Sequence, residues 1–307
     1  MPAHPVLDLI RSRLASGSRP LHRDDGARLA VVLEGGSSRA AYAGGMVCEL
    51  EERGILRAVD AVHGSSAGAL NGAWLVCGRA RANVHGWWEP ESMRAIIRPG
   101  NALRRRPVVD GDTLIDHVYE TVTPLGFEDV LASDVEYHPT GTDIETGECT
   151  DLAPFICDRA TLARALKATS RLPVLSGPPI ELGGRSFIDG GLADNVPVRH
   201  ALAQGATHVL VLRTRVPSLE LRRTHPARRL TVGRWLARHA VGASEAWRTR
   251  NEVARDVERL MATDPRVLQV HPPVGAPRIS VVGSSVAVQK QAVQIGRAAM
   301  VAALDAG

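Results

Sequence analysis

A serine flanked by glycines is the pattern in this 307-residue sequence that most directly suggests chemistry. Ser66 lies in a G-x-S-x-G motif between Gly64 and Gly68, after the apolar run 59–63 and before a helical pattern. A serine on so sharp a strand-to-helix turn needs neighbours without bulk, such as Ala67. The free amides and the positive dipole end at the helix start favour negative charge there. The motif predicts that Ser66 is a nucleophile; the alternative is a serine that only caps the helix.

A glycine-rich loop follows the first apolar run, 29–33. It reads EGGSSR (residues 34–39), and successive glycines allow backbone N–H groups to point into one cavity, as an oxyanion or a phosphate requires. The loop has neither a P-loop ending nor the Rossmann G-x-G-x-x-G pattern. Tight packing in a first strand-to-helix turn, with Arg39 bonded to nearby carbonyls, is the alternative. Ser38, in a near match to the serine motif, is a weaker candidate than Ser66.

An aspartate stands before a third pair of glycines. Asp189 ends a short apolar run, and Gly190 and Gly191 follow it. The two glycines let the backbone lie close against another element. Taken alone, however, an Asp-Gly turn is ordinary hairpin chemistry, and the residues by themselves favour that structural interpretation.

Together these three segments resemble the patatin-like phospholipase family. The family pattern is a glycine-rich loop ending in Arg-Gly, then G-x-S-x-G, then D-G-G/A, and the sequence has the motifs in that order at 35–39, 64–68 and 189–191. Two further stretches, 141–148 and 168–174, also look like the family. The resemblance covers roughly residues 28–215, about two thirds of the chain.

The resemblance implies a serine hydrolase that acts on lipid esters through an acyl-enzyme, without a metal or an organic cofactor. Ser66 would be the nucleophile and Asp189 the base of a dyad that contains no histidine. The backbone amides of Gly35, Gly36 and Ser37 would form the oxyanion hole. The residues expected to support the site are Arg39, Gly64, Ala67, Gly68, Gly190 and Gly191.

Two positions depart from the family pattern and keep an alternative open. Ser37 replaces the third glycine of the loop, and Ala40 replaces the glycine after the arginine. If position 37 needs a positive φ, a serine there costs about 1 kcal/mol and could displace a donor. The alternative is therefore a catalytically weakened, lipid-binding or regulatory module with the same fold.

A second alternative is an α/β-hydrolase-type esterase with a Ser-Asp-His triad. In that fold the histidine follows the acid in the chain. The histidines available after Asp189 are His200, His208, His225, His239 and His271, and none follows a strand in a recognisable loop. His63, just before the serine motif, is interpreted as a packed or hydrogen-bonded residue at the end of a strand.

The elements that must position these motifs alternate between short apolar runs and helical patterns. This alternation predicts βα units around a parallel sheet, and with the family resemblance a three-layer α/β/α fold. The predicted strands are 29–33, 59–63, 135–140, 208–212 and 278–282, and the predicted helices are 43–53, 67–77, 114–121, 160–169, 198–204 and 286–304.

The remaining segments set the expected domain organisation. Residues 1–26 are expected to form an N-terminal helical tail, since the apolar residues of the first turns have helical spacing and charges interrupt them, unlike a signal peptide. Residues 27–307 are expected to form a single patatin-like hydrolase domain. Within it, 90–109 is predicted to be an irregular connection or lid, and 217–276 an arginine-rich helical insertion or lid.

Composition excludes several classes of protein. Hydrophobic residues make up 44% and charged residues 23%, which excludes a disordered, collagen-like or disulfide-scaffold chain. The longest apolar runs are far shorter than the ~20 residues that cross a bilayer, so we expect a cytoplasmic protein, in contact with a membrane surface at most. The four cysteines are scattered and are expected to be reduced.

The positive charge of the chain comes almost wholly from arginine, which supplies all but two of the 37 lysine and arginine residues. No nucleic-acid motif or aromatic stacking platform accompanies it, so no nucleic-acid partner is expected. Segment 217–250 combines arginines with Trp235, Leu236, Val241 and Trp247, which suggests peripheral contact with anionic lipid. A solvated helix that packs its apolar side on the core is the alternative.

Overall fold

One mixed sheet runs through the centre of the molecule. The computed structural model describes residues 4–104, 106–219, 225–280 and 285–306. The strands within these ranges are β1 (Leu29–Leu33), β2 (Ala61–Ser65), β3 (Glu136–Asp143), β4 (Cys149–Asp151), β5 (Ile180–Leu182), β6 (Arg185–Asp189), β7 (His208–Leu212) and β8 (Val267–Val270). Their order across the sheet is β5-β6-β3-β2-β1-β7-β8, with β4 paired to β3.

The strands β3, β2, β1, β7 and β8 pair in parallel. Strands β4 and β6 pair antiparallel to β3, and β5 pairs antiparallel to β6. Every residue of β1 and β2 is buried. A parallel strand covered on both faces has no exposed side that would require polar residues, which explains the uninterrupted LAVVL of β1. At the antiparallel edge, β6 pairs with β3 so that Asp189 lies opposite Gly141.

Helices cover both faces of the sheet. They are α1 (Pro5–Ser16), α2 (Ala41–Glu52), α3 (Ala67–Val76), α4 (Ala80–Asn83), α5 (Pro90–Ile96), α6 (Gly111–Thr113), α7 (Phe127–Leu131), α8 (Arg159–Thr169), α9 (Val198–Ala203), α10 (Pro226–His239), α11 (Ala243–Thr263) and α12 (Val286–Asp305). A π-helical stretch, Leu114–Val122, continues α6.

The side chains of β1 show the two layers directly. Leu29, Val31 and Leu33 belong to the core that includes residues of α1, α2, α3, α8 and α12. Ala30 and Val32 belong to a second core with α9 and α11. Successive side chains of a strand point to opposite faces, so the sheet separates two helical layers. The predicted α/β/α architecture with a mainly parallel sheet is confirmed.

The C-terminal helix packs very closely on α2. A Cβ atom at Gly45 of α2 would lie 1.9 Å from the carbonyl oxygen of Val293, and one at Gly296 of α12 would lie 1.9 Å from the carbonyl oxygen of Tyr42. Only glycine allows the two backbones to approach this far. The predicted helix 286–304 is therefore an integral part of the domain, packed on the helix that follows the glycine-rich loop.

The predicted strands and helices match the structure unevenly. Strands 29–33 and 208–212 have the predicted bounds, and the predicted helices 67–77 and 160–169 match α3 and α8 to within a residue. The predicted strand 59–63 begins two residues later, at Ala61. Residues 281 and 282 of the predicted strand 278–282 lie outside the described residues, and the sheet ends instead on β8, which was not predicted.

Two segments are more ordered than expected. The segment predicted to be irregular, 90–109, contains α5 and a 3₁₀ helix, Pro99–Arg104. The N-terminal α1 buries Val6 and Ile10 in the main core, and its Arg13 is almost fully buried against Asp25 and Asp60. Residues 1–26 therefore contribute to the core, while their separation from 27–307 as an independent unit stays a prediction. Within the described ranges, no helix has the length and apolar character that would span a bilayer.

Candidate active site

Ser66 occupies the turn between β2 and α3 in a strained conformation. Its φ is 54° and its ψ is −133°, which a residue other than glycine seldom adopts. Its neighbours must be small, because a Cβ at Gly64 would lie 2.6 Å from the Cα of Ala69 and one at Gly68 would lie 2.5 Å from the carbonyl oxygen of Leu33. The turn thus presents the Ser66 side chain at the end of a central strand.

The hydroxyl of Ser66 points directly at Asp189. Its Oγ donates to Oδ2 of Asp189 over 2.6 Å, and the two residues are each only 5% exposed. The other carboxylate oxygen accepts the amide of Gly191 at 3.0 Å. Gly190 permits this approach, since a Cβ there would lie 2.3 Å from the carbonyl oxygen of Thr140 on β3. The serine and the aspartate therefore form a direct pair.

Burial changes the acidity of the aspartate. It disfavours the charged carboxylate and raises the pKa of Asp189 to about 6, against the opposing effects of the Ser66 and Gly191 hydrogen bonds and the positive charge of Arg228. A carboxylate with such a pKa is largely ionised at neutral pH. It is also a stronger base than an exposed aspartate, as proton abstraction from a hydroxyl requires.

In the described part of the chain, no histidine is bonded to Ser66 or Asp189. His208 contacts Thr207, His225 accepts the amide of Ala227, and His239 stacks on Trp235. His63 stacks on His138 with the ring centres 4.5 Å apart, and burial lowers its pKa to about 3. His63 is packed, as expected, but it lies in the middle of β2 and not at a strand end. The triad alternative finds no partner for Asp189 among these contacts.

The glycine-rich loop lies against the serine but differs in one respect from the expectation. A Cβ at Gly35 would lie 3.2 Å from the Cβ of Ser66. However, the amide of Gly35 donates to the carbonyl oxygen of Asn195 at 2.9 Å and is not available to an oxyanion. The amides of Gly36 and Ser37 make no hydrogen bond to any described residue. Ser37 has a φ of 48°, the left-handed region in which a family glycine would be unstrained.

A buried ion network holds the start of this loop. Glu34 is fully buried and binds Arg213 at 3.0 Å, Arg215 at 2.9 Å and the amide of Thr214 at 2.8 Å. Burial alone would raise the pKa of Glu34, but the two guanidinium groups hold it at about 2. Arg213 also binds Glu258 of α11. The sequence analysis missed this network, because Arg213 was one of many arginines and no local motif marks it.

Two cavities meet at the serine and the aspartate. The first, called here the apolar cavity, is lined by Ser37, Ser38, Ser66, Leu70, Trp74, Trp87, Ile96 and Tyr119, among others. The second, called here the basic cavity, is lined by Asp189, Gly191, Leu192, Arg228, Trp247 and Arg250, among others. Leu172 lines both. The pair of side chains therefore stands between an apolar space and a space with positive charge.

The arginine-rich segment forms part of the site. Leu236 and Trp247, which were expected to offer an apolar face to a membrane, are buried against Ile188 and Leu192 instead. Val241 is 69% exposed. The helices α10 and α11 thus pack their apolar side on the core, as the alternative interpretation held, and bring Arg228 and Arg250 close to Asp189.

Arg39, the other supporting residue of the loop, lies in the 3₁₀ turn Ser37–Ala40. It lines a third cavity together with Asn195, Arg215 and Arg250. In the described ranges, no three histidine, cysteine, aspartate or glutamate side chains converge in a way that would hold a metal ion.

One family model matches more than half of the chain. It is described as patatin-like phospholipase and matches residues 31–202. Uncharacterized protein YjjU of Escherichia coli is 26% identical over 281 residues, which cover 88% of this chain and 75% of that protein. An uncharacterized NTE family protein of Mycobacterium bovis is 29% identical over 63% of this chain and 32% of its own length.

Two further similarities are more distant. Lysophospholipase NTE1 of Mycosarcoma maydis is 26% identical over 65% of this chain but only 11% of its own length. The chain therefore spans a small part of the NTE relatives that it matches. Among solved structures, VipD from Legionella pneumophila aligns over 92% of this chain and 67% of its own, with a TM-score of 0.49 and 13% identity.

Proposed function

This chain belongs to the patatin-like phospholipase family, and from that premise we propose that it is a serine-dependent lipid acyl hydrolase. The family and the relative named as a lysophospholipase support a lipid hydrolase in general. The observation that carries the finer proposal is the 2.6 Å hydrogen bond from Ser66 Oγ to Asp189 Oδ2, at the opening of an apolar cavity. The reaction would be hydrolysis of a carboxylic ester through a Ser-Asp dyad.

In this mechanism Asp189 removes the proton of Ser66 as its Oγ attacks the ester carbonyl carbon. The tetrahedral intermediate then collapses, the ester C–O bond breaks, and Asp189 returns the proton to the leaving alcohol. An acyl group remains bonded to Ser66. Water, deprotonated by Asp189, attacks the acyl-enzyme and releases the fatty acid, and the proton returns to Ser66.

The amides of Gly36 and Ser37 are the donors that we propose for the developing oxyanion. Each is unbonded to any described residue, and Ser37 lines the same cavity as Ser66. Gly35 takes a positioning role in this proposal, because its amide and carbonyl oxygen are both bound by Asn195. Preorganised amides of this kind stabilise the transition state most when water is excluded, as it is from a buried serine.

The apolar cavity is proposed as the site of the acyl chain. Its lining includes Leu70, Trp74, Ile96 and Tyr119, which suit a hydrocarbon chain whose carbonyl end lies at Ser66. The predicted lid, 90–109, contributes Met93, Ile96 and Val109 to this wall through α5 and the residues after it. Burial of the chain on these side chains would provide most of the binding free energy.

The experiment that tests the proposal is an activity panel of phospholipids, lysophospholipids and p-nitrophenyl esters. Ser66→Ala and Asp189→Asn should each lower kcat at least 10³-fold, the order seen when a nucleophile or its partner is removed. Ser38→Ala is the matched control, since Ser38 lies in the adjacent loop and should retain turnover within tenfold.

A fluorophosphonate probe separates this proposal from the alternative of a weakened module. The wild-type protein should be labelled on Ser66, and the Ser66→Ala protein should not be labelled. Absence of labelling together with normal lipid binding would support the lipid-binding or regulatory module. A histidine variant as inactive as Ser66→Ala would overturn the dyad and favour the triad.

We further propose that the exposed edge of α10 faces the lipid surface that supplies the substrate. Leu230 of α10 is 54% exposed, and Val241, just after the end of α10, is 69% exposed; Arg229 and Arg234 of α10 are exposed as well. Apolar side chains bordered by arginines suit an anionic lipid interface. Liposome pelleting should show binding that requires anionic lipid and weakens with salt; binding that ignores both would overturn this contact.

A further inference from the structure

The basic cavity contains two guanidinium groups close to Asp189. Arg228 comes from α10 and Arg250 from α11, and both line the space that Asp189 opens onto. The guanidinium carbon of Arg250 lies 3.6 Å from the centre of the Trp247 ring, and its Nη1 donates to the carbonyl oxygen of Trp247. Arg250 is thus held in place by stacking on a buried indole.

Like charges face each other in this cavity. Burial lowers the pKa of Arg250, and the charges of Arg228 and Arg229 lower it further. Asp189 is the one acidic side chain among the described residues that line the cavity, and Arg228 forms no ion pair within the described ranges. The positive charge of Arg228, next to a second guanidinium group in the same cavity, creates a site that an anion would stabilise.

The proposed reaction gives this cavity a position relative to the substrate. The proton that Asp189 removes from Ser66 must be returned to the oxygen of the leaving alcohol, so that alcohol must lie beside Asp189. The acyl chain occupies the apolar cavity on the Ser66 side, which leaves the basic cavity for the alcohol portion. In a glycerophospholipid or lysophospholipid, the phosphate is separated from the ester oxygen by only a few bonds.

We infer that Arg228 and Arg250 bind the phosphate of a glycerophospholipid or lysophospholipid substrate on the leaving-group side of Ser66 and Asp189. The planar guanidinium group matches a phosphate through two parallel hydrogen bonds, and two such groups define both its charge and its position. This inference rests on the proposed function, because the role of Asp189 as the base determines on which side of Ser66 the leaving alcohol lies. What it adds to the proposed function is the assignment of the two arginines as residues that determine specificity for the phosphate group.

The test compares two esters with the same acyl chain, lysophosphatidylglycerol and an uncharged p-nitrophenyl ester. The quantity is the ratio of kcat/KM for the phosphate ester to kcat/KM for the uncharged ester. Arg228→Gln and Arg250→Gln should each lower that ratio at least tenfold, mainly through KM. Arg255→Gln is the matched control: it removes the same charge from α11 at a position that does not line the cavity, and the ratio should stay within twofold.

A binding measurement tests the arginine site independently of catalytic activity. In the Ser66→Ala background, calorimetry with short-chain lysophosphatidylglycerol should give a Kd at least tenfold weaker after Arg228→Gln and unchanged after Arg255→Gln. Equal losses in both variants, or none in either, would overturn the site. Inorganic phosphate should bind much more weakly than the lysolipid; equal affinity would assign a free phosphate instead. If Ser66→Ala retains wild-type turnover of the uncharged ester, the proposed function fails separately.

Discussion

The backbone amide of Ser66 donates to the side-chain Oγ1 of Thr169 over 2.9 Å, although 103 residues separate the two in the chain. The same hydroxyl donates onward to the carbonyl oxygen of Thr140 at 2.6 Å, at the point where β3 runs beside β2. Thr169 is fully buried at the end of α8. The strained turn of Ser66 is therefore fixed from outside by a helix end and a neighbouring strand.

This relationship makes Thr169 a positioning residue. Thr169→Val removes the hydroxyl at constant shape, leaves the Ser66 amide and the Thr140 carbonyl without their partner, and should destabilise the protein by about 1–3 kcal/mol. We expect kcat for a p-nitrophenyl ester to fall at least tenfold with little change in KM, since the serine loses its fixed orientation. Thr169→Ser retains the hydroxyl and should restore kcat; a Thr169→Ser variant as impaired as Thr169→Val would contradict the role.

The pKa of Asp189 sets the expected pH dependence of activity. Burial raises this pKa to about 6, and the carboxyl must be ionised to take the Ser66 proton, so kcat/KM should rise with pH through an apparent pKa near 6 and level off above it. Arg228 opposes the effect of burial through its positive charge. Arg228→Gln should therefore move the acidic limb of the profile to higher pH, and Arg234→Gln should leave it in place. An acidic limb near pH 4, typical of an exposed aspartate, would exclude Asp189 as the base.

Strands β1, β2, β3 and β7 and the three glycine motifs could be predicted from the sequence because their signals are local. The uninterrupted apolar residues of β1 and the helical pattern after Ser66 each depend on burial within a single element. The edge strand β8 was missed since its four residues include Gln269, whose amide group bonds outside the strand to Met261. A short, half-buried strand leaves too little pattern to distinguish it from a loop.

The contacts that complete the candidate site are not local and left no signal in the sequence. Gly35 is bound by Asn195, which is 160 residues away, so no pattern around the loop could indicate that its amide is already engaged. The segment that contains Leu236 and Trp247 combines arginines with apolar residues, as a membrane-facing helix does. Tertiary packing on Ile188 decided their burial instead. Long-range contacts of this kind become visible only when the sheet order is known.

The positive φ of Ser37 predicts which substitutions at this position make the protein more stable. With φ at 48°, a Cβ at this position costs about 1 kcal/mol that glycine avoids, so Ser37→Gly should be more stable than Ser37→Ala. At Ser38, where φ is not positive, Ser38→Ala should be more stable than Ser38→Gly. Glycine there relieves no strain and raises the conformational entropy of the unfolded chain. Urea unfolding of the four variants measures both orders, and Ser37→Ala exceeding Ser37→Gly in stability would contradict the strain.

The same position tests the oxyanion proposal. Ser37→Gly retains the amide at its place and should retain kcat. Ser37→Val places a β-branched residue in a conformation that it tolerates poorly, and the resulting shift of the amide should cost about 10²–10³ in kcat, the loss typical of one oxyanion donor. A Ser37→Val enzyme with wild-type kcat would show that the amide at this position does not act on the transition state.

The ion network of Glu34, Arg213 and Glu258 predicts a loss of stability that depends on pH when Arg213 is replaced. Arg213 is fully buried between Glu34 and Glu258, so Arg213→Met removes the cation of Glu258, leaves Glu34 with Arg215 alone, and should destabilise the protein at pH 7 by about 3–5 kcal/mol. In the wild type the low pKa of Glu34 gives stability that is present above pH 4.5 and is lost as the pH falls toward 2. Without Arg213 much of that stabilisation is lost, because Arg215 and the Thr214 amide then act alone against burial, which favours the protonated carboxyl.

The difference in unfolding free energy between wild type and Arg213→Met should therefore shrink as the pH is lowered from 7 to 4. At the lower pH, the buried carboxylates that have lost Arg213 can take up protons. Arg266→Met is the matched control: Arg266 pairs with Asp264 at an exposed site, and its loss should cost less than about 1 kcal/mol. Urea denaturation at both pH values measures these differences. A penalty for Arg213→Met that is small at pH 7, or that grows on acidification, would mean that Glu34 does not depend on Arg213 for its charge.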